Sequence, residues 1–211
     1  MSSLYTPRLF LRPFNHNILS DYDNIIELYN SPFFIKYNGD HGYRTHVDID
    51  RKEAAGCVDL ALCTGKTPCP KSCSFLAHLK TNGQFIGVVS MIHRKPMPPD
   101  LGYNFVEEYT NQGYGTEACR EVLRFWREDV GVKQIWIGTF PSNSRSQHMA
   151  MKLGFVPGGS LIGKMPPSGG LGNIEITAFI LPDMQPFPNR FVFDVQPTEK
   201  AAGSGKYKDS E

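Results

Sequence analysis

Thr110-Asn-Gln-Gly-Tyr-Gly-Thr116 places two glycines directly before the most amphipathic stretch of the chain, in which Ala118, Val122, Phe125 and Trp126 form one apolar stripe. Backbone N–H groups at a helix start lack intrahelical acceptors, and the helix dipole adds partial positive charge there. The N–H groups of Gln112 to Thr116 are therefore suited to cradle a phosphate or pyrophosphate. Gly113 and Gly115 let a ligand approach the backbone closely. The competing reading is an ordinary glycine turn in front of a helix. A dinucleotide fingerprint does not fit, since it needs a third glycine and a later acidic residue within a strand-helix-strand unit.

Other residue types invite chemistry and fit it less well. Cys57, Cys63, Cys69 and Cys73 are separated by five, five and three residues, which does not make the two Cys-x2–4-Cys pairs of structural zinc sites, so buried or loop thiols are expected and no metal. Gly65-Lys66-Thr67 imitates the end of a P-loop, but the position that needs the first glycine is Leu60. His78 and His93 lie on or beside a hairpin; His93 is a candidate second base, against a structural role at a strand end. Phe33, Phe34, Tyr37 and Tyr43 are candidate pocket-lining aromatics, with core packing as the alternative.

The elements that must position these residues emerge from periodicity and punctuation. Pro7 to Pro13 reads as a short strand with Leu9 and Leu11 on one face. Ser20 or Asp21 can cap a helix carrying Tyr22, Ile25, Ile26 and Tyr29, ended by Pro32. A second helix is expected from about Asp48 to Cys63, then a loop over Thr64 to Lys71. Ser74–Lys80 and Phe85–Ile92 flank an Asn-Gly turn and predict a hairpin. Further on come a strand from Asp100 to Val106, a helix from Thr116 to Asp129 and a strand from Gln134 to Phe140. A helix from Ser144 to Leu153 and a strand from Asn173 to Leu181 close the order, the latter after a Gly/Pro-rich loop.

The whole chain sets bounds on this plan. Its 211 residues suggest one domain over 1–195; the residues after about Gln196 carry no apolar side chain beyond Ala and Tyr and are expected to form a disordered tail. With 22 Lys+Arg against 21 Asp+Glu, a broad basic surface for nucleic acid is disfavoured. No stretch approaches about 20 apolar residues, and the first residues lack a basic segment followed by an apolar run, so neither a membrane span nor a secretory leader is expected. The protein reads as soluble, intracellular and cytoplasmic, with its five cysteines as free thiols. Glycine (20) and proline (16) together exceed their usual share of about 12%.

The run from Asp100 to Ala118 resembles the acetyl-coenzyme A signature of the GCN5-related N-acetyltransferases (GNAT), in the branch typified by the ribosomal-protein N-terminal acetyltransferases. Thr6-Pro-Arg-Leu-Phe-Leu-Arg-Pro13 is similar to that branch's first strand, and Asn143-Ser-Arg-Ser146 with Lys152-Leu-Gly-Phe155 to its second coenzyme A segment. The resemblance spans about residues 6–181. It implies an α/β fold with a mixed, mostly antiparallel sheet, flanked by helices and splayed at the acetyl-CoA site. A break or bulge around Asn104, Phe105 and Val106 would free backbone groups for the pantetheine arm and an oxyanion. Gln112, Gly113, Tyr114, Gly115 and Thr116 would hold the pyrophosphate, with Asn143, Arg145 and Ser146 reaching the coenzyme from the next segment. The first position of the glycine motif, usually Arg or Gln in the wider family, is Thr110 here.

Direct acetyl transfer needs a neutral amine. Deprotonation at pH 7 costs about 1 kcal/mol for an α-amine of pKa near 8 and roughly 4–5 kcal/mol for a lysine-like amine. Asp100, at the start of the coenzyme strand, is the candidate base, against a loop-capping or substrate-binding role. Many relatives protonate the leaving thiolate with a Tyr at the position that is Ala150 here; Ser146 resembles the serine proposed for this role in the branch. The expected activity is transfer of acetyl from acetyl-CoA to a primary amine, a small molecule or a protein N-terminus, in a ternary complex. The alternative is a non-catalytic acyl-CoA-binding module on the same fold. Expected partners are acetyl-CoA and an amine acceptor, with no nucleic acid, membrane or metal, in a monomer or homodimer. The seven glycines and three prolines between Gly154 and Gly172 are expected to form a loop over the acceptor.

Overall fold

The computed structural model describes residues 3–164 and 172–195. The expected disordered tail, and residues 165–171 of the expected acceptor loop, lie outside the described residues. Among the described residues nine strands form one mixed sheet: β1 (Leu4–Tyr5), β2 (Leu9–Pro13), β3 (Ser74–Leu79), β4 (Phe85–Ile92), β5 (Asp100–Phe105), β6 (Trp136–Thr139), β7 (Val156–Lys164), β8 (Asn173–Ile180) and β9 (Phe191–Asp194). Their spatial order is β1-β2-β3-β4-β5-β6-β8-β7-β9. Neighbours are antiparallel except β5 with β6 and β7 with β9. Five α-helices among the described residues flank the sheet: α1 (Leu19–Asn30), α2 (Pro32–Asn38), α3 (His46–Ala55), α4 (Tyr114–Arg124) and α5 (Ser144–Lys152).

The central hairpin β3–β4 is covered on both faces, so its sequence is apolar almost throughout rather than alternating. Phe75, Val89 and Met91 face a core built with Val122, Phe125 and Trp126. Leu76 and Val88 face the opposite way, against Tyr22, Ile25, Tyr29, Phe34 and Ile49 of α1–α3. The Asn-Gly hairpin turn closes as expected, with Gly83 at φ 75°.

Several elements depart from the sequence expectation. Asp21 does not cap α1: it is fully buried, where Arg12 grips both its oxygens at 2.6 and 2.5 Å and the Asn15 N–H donates to it. Pro32 ends α1 but opens α2 as its first residue, with Ser31 accepting from the Phe34 N–H. The helix expected to run to Cys63 stops at Ala55, because the chain must bend at Gly56 to pass Cys73; a Cβ there would lie 3.0 Å from the Cys73 sulfur. A 3-10 turn over Leu60–Leu62 takes the place of its last residues. Cys63 and Cys69 pair as a disulfide with Cα atoms 5.6 Å apart, in contrast to the expected free thiols; Cys57, Cys73 and Cys119 are free. Beyond Arg124 the helix widens into a π-helical turn over Phe125–Asp129. Its end is clasped by the 64–67 segment: Gly65 N–H donates to Val130 O at 2.7 Å, Thr67 N–H to Asp129 O at 3.0 Å and Thr64 Oγ1 to Gly131 O at 2.9 Å.

Part of the expected Gly/Pro loop is strand β7, hydrogen-bonded on both sides by β8 and β9. Its glycines hide the strand pattern because they make room for neighbours: a Cβ on Gly158 would lie 2.6 Å from Ile180 and one on Gly163 2.5 Å from Val195. Strands β1 and β9 are likewise additions to the elements that periodicity predicts.

A buried polar knot ties α3 to the hairpin. Glu53 accepts from Lys52 Nζ (2.9 Å), Ser72 Oγ (2.7 Å), Cys73 N (3.0 Å), Ser74 N (3.2 Å) and Ser74 Oγ (2.5 Å). Burial works to raise its carboxyl, but Lys52 and the hydroxyl donors prevail and bring it down to about 2. The folded value lies below the unfolded one, so this stabilisation is fully present above about pH 4.5 and is lost as pH falls towards 2. Glu53→Ala, which strands Lys52, is expected to cost about 3–5 kcal/mol in urea unfolding at pH 7. Glu53→Gln should flatten the acid limb of stability; an unchanged limb would remove Glu53 as its source.

Candidate active site

Strands β5 and β6 run parallel but pair only at Asp100 with Trp136, and then part. Towards β4 the pairing of β5 is continuous from Asp100 to Phe105, so the expected break or bulge in β5 is absent; the opening comes from divergence of β5 and β6. Val106 N–H is spent on Ile86 O at 2.9 Å. By antiparallel alternation, Gly102 and Asn104 also bond towards β4; on the other edge the N–H of Leu101 is taken up by the single bridge to β6, while the N–H and C=O groups of Tyr103 and Phe105 face the opening. The backbone groups available for a ligand are therefore those of Tyr103 and Phe105, not of Asn104 and Val106.

The start of α4 lies at one side of this opening. Gly113 holds φ 83°, left-handed backbone that favours glycine, and no side chain caps the helix. The first helical bond is Glu117 N–H to Gly113 O, which leaves the N–H groups of Tyr114, Gly115 and Thr116 unpaired. Gly115 is packed so tightly that a Cβ would sit 3.3 Å from Met149 Sδ and the Phe105 ring. Arg8, which the sequence does not single out, fixes the turn. Its Nε meets Glu117 at 2.7 Å, its NH1 donates to Gln112 O at 3.0 Å, and its guanidinium lies 4.2 Å from the Tyr114 ring centre.

A cavity of about 440 Å³ lies against this turn. Of the expected coenzyme residues, Asn104, Phe105, Gly113, Gly115, Thr116, Asn143, Arg145 and Ser146 line it. Val106, Gln112 and Tyr114 do not: Val106 packs on the α1–α3 core, Gln112 Nε2 donates to Glu108 O, and Tyr114 stacks under Arg8. His148, Met149 and Lys152 of α5 also line it. The cations of Arg145 and Lys152 suit an anionic ligand.

A second cavity, of about 180 Å³, adjoins the first, and Phe34, Asn38, Tyr103, Asn104 and Ser146 belong to both walls. At this junction Tyr103 OH donates to Ser146 O and lies 3.0 Å from Ser146 Oγ. Burial pushes the Tyr103 hydroxyl well above the ordinary tyrosine range, against the pull of Ser146. Ser146 is itself placed by Asn143, whose Oδ1 accepts from the Ser146 N–H at 3.1 Å. Sequence reasoning passes over Tyr103 because the family's tyrosine position falls on α5, where Ala150 is fully buried. The signal that could find it is its place in strand β5, two residues from Leu101 and Phe105 on the same face.

Asp100 lines the smaller cavity. Burial raises its carboxyl, and Arg94, which holds Oδ2 at 2.5 Å, pulls the other way; Oδ1 is buried without a partner. His93 lines neither cavity, and its Nδ1 accepts from the Asp59 N–H. His78 bonds Gly83 O through Nδ1. Phe33, Phe34 and Tyr37 border the larger cavity, and Phe34 and Tyr43 the smaller. No helix among the described residues is long and apolar enough to cross a membrane.

Comparison with known proteins agrees with this architecture. Residues 8–156 match the family model described as an acetyltransferase (GNAT) domain. The fold is similar to that of an acetyltransferase (GNAT family) from Bacillus anthracis, with TM-score 0.61 and 16% identity over 85% of this chain and 98% of that one. It is also similar to the ribosomal-protein-S5-alanine acetyltransferase from Vibrio fischeri, with TM-score 0.60 and 18% identity over 88% and 100%. A third is a spermidine N-acetyltransferase SpeG chimera from Vibrio cholerae and hSSAT, with TM-score 0.58 and 13% identity over 82% and 94%. No curated protein matches the sequence.

Replacing Gly115 by Val would fill the space beside Met149 and Phe105 and push a ligand off the unpaired N–H groups. The expected outcome is binding of acetyl-CoA weakened by about tenfold or more, read as loss of its thermal stabilisation. An unchanged thermal shift would sink the α4 cradle.

Proposed function

The chain belongs to the GNAT acetyltransferase family, whose activity is acetyl-CoA-dependent acetylation, and from that premise we propose that it passes acetyl to a primary amine by direct attack in a ternary complex. The observation that carries this reading is the pair of adjoining cavities that share Tyr103, Asn104 and Ser146. One has the donors and cations for a coenzyme; the other has a buried carboxylate for an acceptor.

Bound acetyl-CoA supplies the acetyl group as an activated thioester. In this chain the N–H groups of Tyr114, Gly115 and Thr116 would hold its pyrophosphate, with Arg145 and Lys152 countering phosphate charge. The bare N–H groups and the space kept by Gly115 support the fit. On the open edge of β5, the Tyr103 and Phe105 amides are placed to bind carbonyl oxygen and to stabilise developing negative charge.

Asp100 is the base in this reading. Its raised carboxyl pKa makes it more basic than an exposed aspartate, and its free Oδ1 can accept a proton directly or through water. The Tyr103–Ser146 hydroxyl pair is the proton source for the departing thiolate. A thiol of pKa near 8.5 leaves with little help, so the demand on this pair is modest. Buried Ala150 denies the position used by many relatives and favours the pair.

A free-thiol assay with acetyl-CoA and a broad amine panel should register turnover; binding of the coenzyme without thiol release from any amine would favour a non-catalytic module. Tyr103→Phe and Ser146→Ala are each expected to lower kcat by about 100-fold with little change in KM for acetyl-CoA. The double variant should fall little further, because the two act as one unit. Unchanged kcat in both single variants would remove the pair from proton transfer.

A further inference from the structure

The smaller cavity has an uneven wall. Among the described residues five buried side-chain polar atoms lack a hydrogen-bond partner, and three of them, Arg94 Nε, Asp100 Oδ1 and Thr139 Oγ1, belong to residues lining this one cavity. A buried polar group without a partner is costly, so its concentration at one cavity marks a place where a ligand completes the bonding. The three differ in kind: one donor, one acceptor, and one hydroxyl that can be either.

Charge narrows the ligand further. Lys52 and Arg94 bring two cations to the wall, each paired at short range, Lys52 with Glu53 at 2.9 Å and Arg94 with Asp100 at 2.5 Å, so the wall offers separate groups of both signs and no net charge. His41 also lines the cavity, and burial works against its protonation. Such a wall suits a compact ligand that itself carries one group of each sign. Size sets the last limit: at about 180 Å³ the cavity slightly exceeds an apolar cavity of about 150 Å³ that takes benzene.

We propose, building on the acetyl-transfer reading, that this cavity takes a compact acceptor with a carboxylate beside its amine, a small free α-amino acid. Its carboxylate turns to Arg94 and Lys52, and its amine to Asp100 and the junction with the coenzyme cavity. A diamine would set its second ammonium against the two cations. A peptide N-terminus would offer a neutral carbonyl where the wall calls for negative charge.

Binding tests this independently of turnover. The full chain, with and without coenzyme A, is titrated calorimetrically with glycine, alanine and serine, with alaninamide and ethylamine, with a four-carbon diamine and with trialanine. The expected result is that at least one of the amino acids binds about tenfold or more tighter than alaninamide, ethylamine, the diamine or the peptide. Arg94→Gln should bring alanine and alaninamide to within about threefold, and Arg94→Lys should keep part of the preference. If Arg94→Gln fails to fold because Asp100 is left unpaired, the double variant Arg94→Gln/Asp100→Asn serves in its place. Equal or tighter binding of an amine, diamine or peptide, a preference that survives Arg94→Gln, or no amino-acid binding at all would overturn the proposal. Thiol release from other amines combined with weak amino-acid binding would overturn this assignment alone. Amino-acid binding without thiol release from any amine would overturn acetyl transfer alone.

Discussion

The molecule is organised around two parallel strands that touch at one residue pair and then separate. Beyond the bridge of Asp100 with Trp136, strand β5 has no sheet partner on one side among the described residues, so the backbone groups of Tyr103 and Phe105 face an opening instead of a neighbour. A sheet that parts in its middle forgoes hydrogen bonds that burial normally demands. The rest of the fold holds the parting in place. Hairpin β3–β4 braces β5 from behind with an unbroken register on that side, and β8 braces β6. Helices α4 and α5 then contribute the residues that line the space between.

The two banks of this opening are fixed by different physics. On the coenzyme side the glycine turn is drawn to the first long strand by Arg8, which combines an ion pair, a backbone hydrogen bond and a ring contact in one side chain. On the acceptor side, rigidity comes from buried charge. The Lys52–Glu53 knot joins α3 to the hairpin, while Arg94 and Asp100 brace the start of β5. Buried ion pairs of this kind add little net stability compared with apolar packing, but they fix the position of charge. Here the fixed charges surround the smaller cavity.

Much of this is legible in the sequence where pattern and chemistry coincide. The glycine motif, the amphipathic α4, the Asn-Gly hairpin and the Asn143–Ser146 segment each announce themselves locally, and most of the expected coenzyme residues line one cavity. Features that are not legible depend on distant contacts. Asp21 looks like a helix cap because its partner Arg12 precedes it on a strand whose course the sequence does not reveal. Strand β7 looks like a loop because its glycines answer to Ile180 and Val195, residues far along the chain. Tyr103 escapes notice for the same reason: its neighbour Ser146 lies across the cleft, and no spacing along the chain relates the two.

The clasp of residues 64–67 on the end of the π-helical turn has an effect at the other end of that helix. The carbonyls of Asp129, Val130 and Gly131 are answered by protein donors, and Gly65 fits so closely that a Cβ would come within 2.3 Å of Asp129 O. Arg124 sits near the same terminus, paired with Glu121, Glu128 and Asp129. The last carbonyls are therefore satisfied from within the protein, while the N–H groups at Tyr114 to Thr116 are left bare. Helix α4 is thus sealed at one end and open at the other, so the hydrogen-bonding capacity it has left to offer an incoming anion is gathered at the glycine turn.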